Sequence, residues 1–392
     1  MSRAARGRPP ARRRRAAQNG HAPVDPATLA TAAAAPPPTT TPSRRRVPAA
    51  LRRRPSLPRM PGPGVPVPSL PGLSSLSSLT ALVRDLPATA MGATGMLALR
   101  LRELTGRDVI DLESIQELLS VYYRLAALRE DRGSASFAID EFGFDREWTE
   151  ALMPLFRVVA RRYWRVDVDG TENLPRRGGA LLVSNHAGVL PWDGAMIKVA
   201  VFDAVDRHAR ALIAGWFGEL PVASWFLRRT GQTLGHPDDS LRLLRDGELV
   251  LVFPEGIRGT GKPWSERYRL RRFGRGGFVD VAMRAGVPII PVSVIGSEET
   301  YPMLADVRPL AQALGMPYFP LTPTWPWLGP LGFVPLPSKW RITFHAPVDV
   351  PAATDAETPD RAAVMDIADS VRVTIQRGVI NDLMRRQRTF RG

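Results

Sequence analysis

The chain has 392 residues, of which 44% are hydrophobic. This composition suffices for one sizeable α/β domain with additional segments or for two modest domains. The formal net charge is +15, but the first 72 residues carry 14 Arg and a single acidic residue, so the remainder of the chain is nearly neutral. The lack of Cys excludes disulfides, thiolate metal sites and cysteine nucleophiles. The five His show no metal-ligand spacing, and we expect no bound metal.

Residues 1–72 are predicted to form a disordered tail. They contain 16 Pro and no aromatic residue, so they cannot bury enough apolar surface to offset the entropy of ordering. Three interpretations of the basic charge stay open: a solvated tail, attraction to anionic lipid headgroups, or nonspecific nucleic-acid binding. Because the tail has nothing on which bases could stack, we expect no specific nucleic-acid partner.

No targeting or membrane-spanning segment is predicted. The Arg-rich start is followed by Ala, Pro and Thr instead of a compact apolar region. No apolar run reaches the length of about 18 residues that a spanning helix requires. We therefore expect a cytoplasmic protein that lies peripherally on the inner face of the cell membrane.

Residues 73–145 are predicted to form a helical N-terminal segment. Apolar residues recur at helical spacing from Leu112 to Leu125, after Asp108 or Asp111 as a helix N-cap. A second helix is predicted from near Arg146 to Tyr163. Its apolar face could lie in a membrane interface or pack against a protein core.

Residues 146–392 are predicted to form an α/β domain with a mainly parallel central sheet flanked by helices. The sequence alternates apolar strands with amphipathic helices, which is typical of such a sheet. The strands are predicted over 165–170, 180–184, 248–253, 287–294 and 340–344, and a long helix is predicted to close the chain over 364–383.

The first candidate motif is Ser184-Asn-His-Ala-Gly-Val-Leu-Pro-Trp-Asp-Gly194. His186 comes directly after a buried strand, at the edge where open α/β sheets bind ligands. Pro191 suits the first turn of a helix, which places Asp193 in the opening turn. An Asp that accepts from one imidazole nitrogen would leave the other free to act as a general base. Asp193 could also be an ordinary helix cap.

The second motif, Phe253-Pro-Glu-Gly-Ile-Arg258, follows another buried strand. It places a carboxylate and a guanidinium at the same sheet edge, where Arg can bind a phosphate or carboxylate with two hydrogen bonds. The Arg- and Gly-rich residues 267–277 that follow could extend this site or form a solvated turn.

Residues 309–338 form an apolar segment without a charge and with eight Pro, which exclude a spanning helix. Its aromatic residues suit an interfacial patch or the wall of an acyl channel. A Pro-rich connection packed on the core is the alternative. We favour the lipid-contacting surface.

These motifs, in this order, resemble the glycerolipid (lysophospholipid) acyltransferase family. The resemblance covers roughly residues 150–345, with the family motifs within 180–300, and includes a Val-Pro-Ile-x-Pro-Val strand at Val287–Val292. It implies that His186 and Asp193 form a catalytic dyad. The substrate-binding residues that it implies are Asn185, Phe253, Pro254, Glu255, Gly256, Arg258 and Pro291.

The sequence departs from the family pattern in two places. Family members usually place four residues between the His and the Asp, whereas six intervene here. On a continuous helix this offset would separate the two by about 10 Å, so a loop over Gly188–Pro191 is predicted. The usual phosphate-binding block is acidic here, at Gly231–Ser240. The sequences of residues 190–194 and 296–302 look more like those of the family branch that resembles diacylglycerol and alcohol ester synthases.

The expected function is transfer of a fatty acyl group from acyl-CoA or acyl carrier protein to a glycerolipid or lipid alcohol hydroxyl. With no Cys and no G-x-S-x-G elbow, direct transfer is expected. The expected partners are the acyl thioester donor, the lipid acceptor and a membrane surface, with no further cofactor. The alternatives are lysophosphatidate (1-acylglycerol-3-phosphate) acylation and a non-catalytic lipid-binding or scaffold role.

Overall fold

The computed structural model describes residues 112–131, 139–215, 221–353 and 359–390. The predictions for the tail, 1–72, and for the start of the N-terminal segment, 73–111, lie outside the described residues. The α-helices are α1 (Leu112–Asp131), α2 (Arg146–Val158), α3 (Trp192–Val205), α4 (Pro221–Arg229), α5 (Pro237–Arg245), α6 (Ile257–Thr260), α7 (Gly277–Ala285), α8 (Arg308–Ala313) and α9 (Arg361–Arg385). The strands are β1 (Asp167–Asp169), β2 (Ala180–Ser184), β3 (Ala209–Ile213), β4 (Thr233–Leu234), β5 (Leu249–Val252), β6 (Ile289–Ile295), β7 (Ala305–Asp306), β8 (Pro320–Leu321) and β9 (Arg341–Phe344).

A seven-stranded sheet organises the fold, in the order β1-β9-β6-β2-β5-β3-β4. Every neighbouring pair is parallel except β6 and β9, which are antiparallel. Strands β7 and β8 form a separate antiparallel pair. The predicted α/β fold with a mainly parallel sheet is therefore confirmed.

The central strands read as continuous apolar runs because helices cover both faces of the sheet. All residues of β2 and β6 are buried, as expected for the interior of a parallel sheet. Successive residues of β2 pack into different cores: Leu182 contacts the cluster that includes α3, and Leu181 contacts the cluster that includes α7 and α9. Strand β9 alternates buried and half-buried residues, as predicted.

Helix α2 and the π-helical turn Val159–Tyr163 that continues it occupy the predicted second helix. Of the two interpretations of its apolar face, the structure favours the core. Leu152 is buried, and Phe156 and Val159 pack against the core cluster that contains α3. No helix among the described residues is long and apolar enough to cross a membrane.

Helix α3 buries a lysine. Lys198 is 6% exposed, and its Nζ donates to the carbonyl of Thr230. Burial lowers the pKa of Lys198 to about 7, and the nearby charge of Arg210 acts in the same direction. In the unfolded chain a lysine titrates near 10.4, so the two states differ in bound protons from about pH 7 to about pH 10.

Replacing Lys198 with Met is expected to remove a pH-dependent part of the stability. Between about pH 7 and pH 10 the unfolded state holds a proton that the folded state has lost. The free energy of unfolding therefore rises with pH, by at most about 1.4 kcal/mol for each pH unit. Chemical denaturation of the wild type and of Lys198→Met at pH 7 and pH 9 measures this pH dependence of the free energy of unfolding. Parallel stability profiles for Lys198→Met and the wild type would show that the lysine keeps its ordinary pKa.

Candidate active site

The two candidate motifs meet because the strands before them are neighbours. Strands β2 and β5 are parallel and in register, with Val183 opposite Val252. Their carboxyl ends therefore lie at the same edge of the sheet, where ligands bind in open α/β folds. The chain that leaves β2 carries His186, and the chain that leaves β5 carries Glu255.

A loop between β2 and α3 brings Asp193 back to His186. The chain is non-helical from Asn185 to Pro191 and becomes helical at Trp192, so the predicted loop over Gly188–Pro191 is present. Gly188 has φ of +80°, and a Cβ there would lie 2.6 Å from the carbonyl oxygen of Ser297. Only glycine fits this bend without displacing the neighbouring backbone.

His186 and Asp193 form a hydrogen-bonded pair. Nδ1 of His186 lies 2.7 Å from Oδ2 of Asp193, and the same oxygen accepts from the backbone N–H of Ala187 at 3.0 Å. The Asp193 side chain is fully buried, while that of His186 is 12% exposed. Among the described residues nothing hydrogen-bonds to Nε2 of His186. The pair can therefore fix the tautomer and leave Nε2 for a substrate proton.

The contacts of Asp193 do not fit the helix-cap alternative. The N-cap position of α3 is Pro191, and no side chain caps the helix. Besides its contacts to His186 and Ala187, the only donor to the carboxylate among the described residues is the N–H of Gly194, at 2.8 Å. The aromatic ring of Phe253 stacks on the His186 ring with centroids 4.2 Å apart, which restricts the orientation of the imidazole.

Glu255 fastens two loops together from inside the protein. Its Oε1 accepts from the N–H of His186 at 3.0 Å, and its Oε2 accepts from the N–H of Arg271 at 2.6 Å. The side chain is fully buried and pairs with Nζ of Lys262 at 3.3 Å. The carboxylate predicted to bind substrate thus contacts backbone and lysine.

Lys262 lies between two buried carboxylates. Its Nζ is 3.3 Å from both Glu255 and Glu298, and its own side chain is 4% exposed. Burial raises the pKa of Glu298 to about 7, and the charge of Lys262 opposes that rise. The polar chain continues from Tyr268, which donates to both Glu298 and Glu299. We assigned no role to Lys262 or Glu298 from the sequence, although Glu298 lies within residues 296–302, which resemble one branch of the family.

The remaining predicted residues are divided between the sheet and the surface. The side-chain amide of Asn185 exchanges two hydrogen bonds of 2.9 Å with the backbone of Val294, so it joins the loop to β6. Pro291 is buried inside β6, opposite Val183. Pro254 is half-buried, and Gly256 and Arg258 are exposed at the start of α6.

Gly259 allows α6 to touch the loop that carries His186. A Cβ at this position would lie 2.7 Å from the carbonyl oxygen of His186 and 2.8 Å from its Cβ. We did not single out this residue in the sequence, although a glycine directly after the Phe-Pro-Glu-Gly-Ile-Arg motif is a signal of close backbone approach.

The apolar segment 309–338 is hydrogen-bonded to the same loop. The Tyr318 hydroxyl donates to the carbonyl of Val189 at 2.7 Å. Tyr301 donates to the carbonyl of Phe333 at 2.5 Å and lies 3.4 Å from Nε1 of Trp192. Large apolar side chains of the segment are exposed to solvent, and these are Leu310, Leu314, Trp327, Leu328, Leu331, Phe333 and Val334.

A cavity of about 620 Å³ opens beside Arg258 and is also lined by Arg272, Gly274, Arg275 and Arg361. Gly188, Gly259 and Lys262 line a much narrower crevice next to the His186 loop. Within the described ranges, no group of three or more His, Asp or Glu could hold a metal ion.

A family model described as Acyltransferase matches residues 165–295, the region that contains the dyad and Glu255. An uncharacterized protein of Mycobacterium tuberculosis (strain ATCC 25618 / H37Rv) is 47% identical over 281 residues, which are 70% of this chain and 78% of that protein. One from Mycobacterium leprae is 46% identical over 283 residues, 71% of this chain and 77% of that protein.

More distant similarity extends to proteins with descriptive names. The human DGAT1/2-independent enzyme synthesizing storage lipids is 29% identical over 142 residues, which cover 36% of this chain and 43% of the enzyme. Among solved structures, the 1-acyl-sn-glycerophosphate (LPA) acyltransferase PlsC from Thermotoga maritima aligns with 21% identity and a TM-score of 0.39, over 69% of this chain and 98% of that one.

Replacing Gly259 with Ala is expected to displace the His186 loop, because the new methyl group would overlap the His186 backbone. We expect the free energy of unfolding to fall by about 1–3 kcal/mol and the NMR signals of the His186 ring to shift. Gly277→Ala is the matched control, since no heavy atom lies within 4 Å of that Cβ position. Equal stabilities and ring signals in the two variants would contradict the close approach.

Proposed function

This chain belongs to the glycerolipid (lysophospholipid) acyltransferase family, and we propose that it moves a fatty acyl group from acyl-CoA or acyl carrier protein to the hydroxyl of a glycerolipid or lipid alcohol. The observation that carries the proposal is the 2.7 Å contact between Nδ1 of His186 and a fully buried Asp193. The name of the human relative, which synthesizes storage lipids, supports a lipid acceptor.

In the proposed reaction His186 is the general base. Nε2 takes the proton of the acceptor hydroxyl, and the oxygen attacks the thioester carbonyl carbon. The carbon–sulfur bond then breaks, and the thiolate leaves with the proton that the imidazolium returns. Asp193 stabilises the imidazolium and holds the ring by its other nitrogen.

Direct transfer needs no acyl-enzyme and no cofactor besides the donor. Ser184 is the serine nearest to His186 in the sequence, but it is buried and its hydroxyl donates to the carbonyl of Asn185. This geometry does not suit a nucleophile that His186 would activate. Phe253, Pro254, Gly256 and Arg258 are proposed to border the substrates, whereas Asn185, Glu255 and Pro291 support the loops and the sheet around them.

We also propose that the apolar segment 309–338 rests on the inner face of the cell membrane, with the protein peripheral and cytoplasmic. Trp327 and Leu331 are each 69% exposed, and the segment has no charged residue that would have to leave water. Burying such side chains in the interface is favourable, at about 25 cal/mol for each Å² of apolar surface. The contact from Tyr318 to Val189 places this surface beside the dyad loop, where a lipid acceptor has to arrive.

Replacing His186 with Ala is expected to lower acyl transfer by about 10²–10⁴-fold and to leave the fold intact. Release of CoA from labelled acyl-CoA, with diacylglycerol or lysophosphatidate as acceptor, measures the reaction. His236→Ala is the matched control, because His236 is exposed and lies outside the site. Full turnover by His186→Ala would refute the assignment. Wild-type protein that releases no CoA with any acceptor would favour the non-catalytic alternative.

The double variant Trp327→Ser with Leu331→Ser is expected to bind vesicles more weakly than wild type does. Loss of two exposed apolar side chains should reduce the fraction that sediments with anionic phospholipid vesicles by about tenfold or more. Met384→Ser is the control, since Met384 is 74% exposed but lies on α9. If all three proteins sediment alike, the apolar segment does not dock on the membrane.

A further inference from the structure

Four arginines converge on one cavity without neutralising partners. The cavity of about 620 Å³ is lined by Arg258, Arg272, Arg275 and Arg361, together with Gly274, and we call it the arginine cavity. All four side chains belong to exposed residues. None of them pairs with an acidic residue in the part of the chain that the structure describes.

Neighbouring arginines behave differently. Arg271 pairs with Glu266, and Arg284 lies 3.9 Å from Asp280. The unpaired charges of the arginine cavity repel one another, and guanidinium groups bind phosphates with paired hydrogen bonds. A polyanionic phosphate ligand would remove the repulsion and satisfy these donors.

The size of the arginine cavity indicates more than a single phosphate group. Sites for small organic molecules and cofactors usually enclose about 300–1,000 Å³, and this cavity falls in that range. A lysophospholipid would offer one phosphate on a small glycerol. Coenzyme A offers a 3′-phosphate and a diphosphate on the two sides of one ribose, together with an adenine ring.

The arginine cavity is fixed to the dyad through Glu255. One carboxylate oxygen holds the N–H of His186, and the other holds the N–H of Arg271, next to Arg272. Arg258 also lines the cavity and precedes Gly259, which lies against the His186 carbonyl. A ligand anchored by its phosphates in the cavity therefore sits next to the loop that carries the general base.

We propose that the arginine cavity binds the phosphorylated nucleotide of coenzyme A, with the pantetheine arm extending to His186. This assignment rests on the proposed function and makes acyl-CoA the donor. The same chemistry could come from the phosphate of a lysophosphatidate acceptor, and the experiment separates the two sources.

The first measurement is binding of CoA, dephospho-CoA and pantetheine to the full chain by titration calorimetry. One cavity variant combines Arg272→Gln with Arg275→Gln, and a second carries Arg361→Gln alone. The control is Arg372→Gln, which lies on the same helix as Arg361. Arg372 is the matched residue because it pairs with Asp369 and does not line the cavity. We expect CoA to bind roughly tenfold more weakly to the cavity variants, and pantetheine to bind all proteins alike.

The second measurement compares donors in turnover. The cavity variants should raise the KM for acyl-CoA about tenfold, whereas kcat/KM for acyl-pantetheine, which lacks the nucleotide, should match that of wild type. Cavity variants that bind CoA as tightly as wild type does would overturn the assignment and leave the proposed function in place. An increased KM for lysophosphatidate alone would also overturn it, in favour of the acceptor phosphate.

The binding measurements test the nucleotide site independently of whether the protein catalyses acyl transfer. If the wild type releases no CoA with any acceptor while the cavity variants still lose CoA binding, the proposed function fails and the nucleotide site remains. If acyl carrier protein replaces acyl-CoA as the better donor, and its KM rises in the cavity variants while CoA binding is unchanged, the cavity belongs to a protein partner and the assignment falls.

Discussion

The buried carboxylate of Glu255 is the contact on which the site depends. It holds the backbone of His186 with one oxygen and the backbone of Arg271 with the other, and Lys262 neutralises it. Taking a carboxylate out of water costs several kcal/mol unless its lone pairs and charge are satisfied. Here two N–H donors and one ammonium group satisfy them. The loop with His186 and the loop with Arg271 are consequently joined through one buried carboxylate.

The dyad is possible only because the backbone around it approaches unusually closely. Gly188 turns the chain between β2 and α3, and Gly259 lets α6 lie against His186. Together with the ring of Phe253 stacked on the imidazole, these contacts hold the His186 ring in one position. Such preorganisation suits the proposed general-base role, since the reacting geometry would not have to be assembled at each turnover.

Much of this arrangement could be predicted from the sequence. The apolar runs of β2, β5 and β6, the closing helix α9 and the loop that returns Asp193 to His186 follow from periodicity and from Pro191. The direction of the Glu255 side chain could not be predicted, because a turn can aim a carboxylate at solvent or at backbone. Nor could the pairing of Lys262 with Glu298, or the contribution of Arg361 to the arginine cavity. These residues are distant in the chain and share no periodic pattern, so only the folded chain brings them together.

The hydrogen bond from the Tyr318 hydroxyl to the Val189 carbonyl has a mechanical consequence. Val189 lies three residues after His186, inside the loop that Asp193 closes. Tyr318 belongs to the segment 309–338, whose exposed side chains include Trp327, so a displacement of the segment at Tyr318 would pull on this loop. If the segment 309–338 rests on a bilayer as proposed, lateral pressure and headgroup spacing would act on the alignment of His186, and the physical state of the lipid, besides its chemical identity, would influence the proposed reaction.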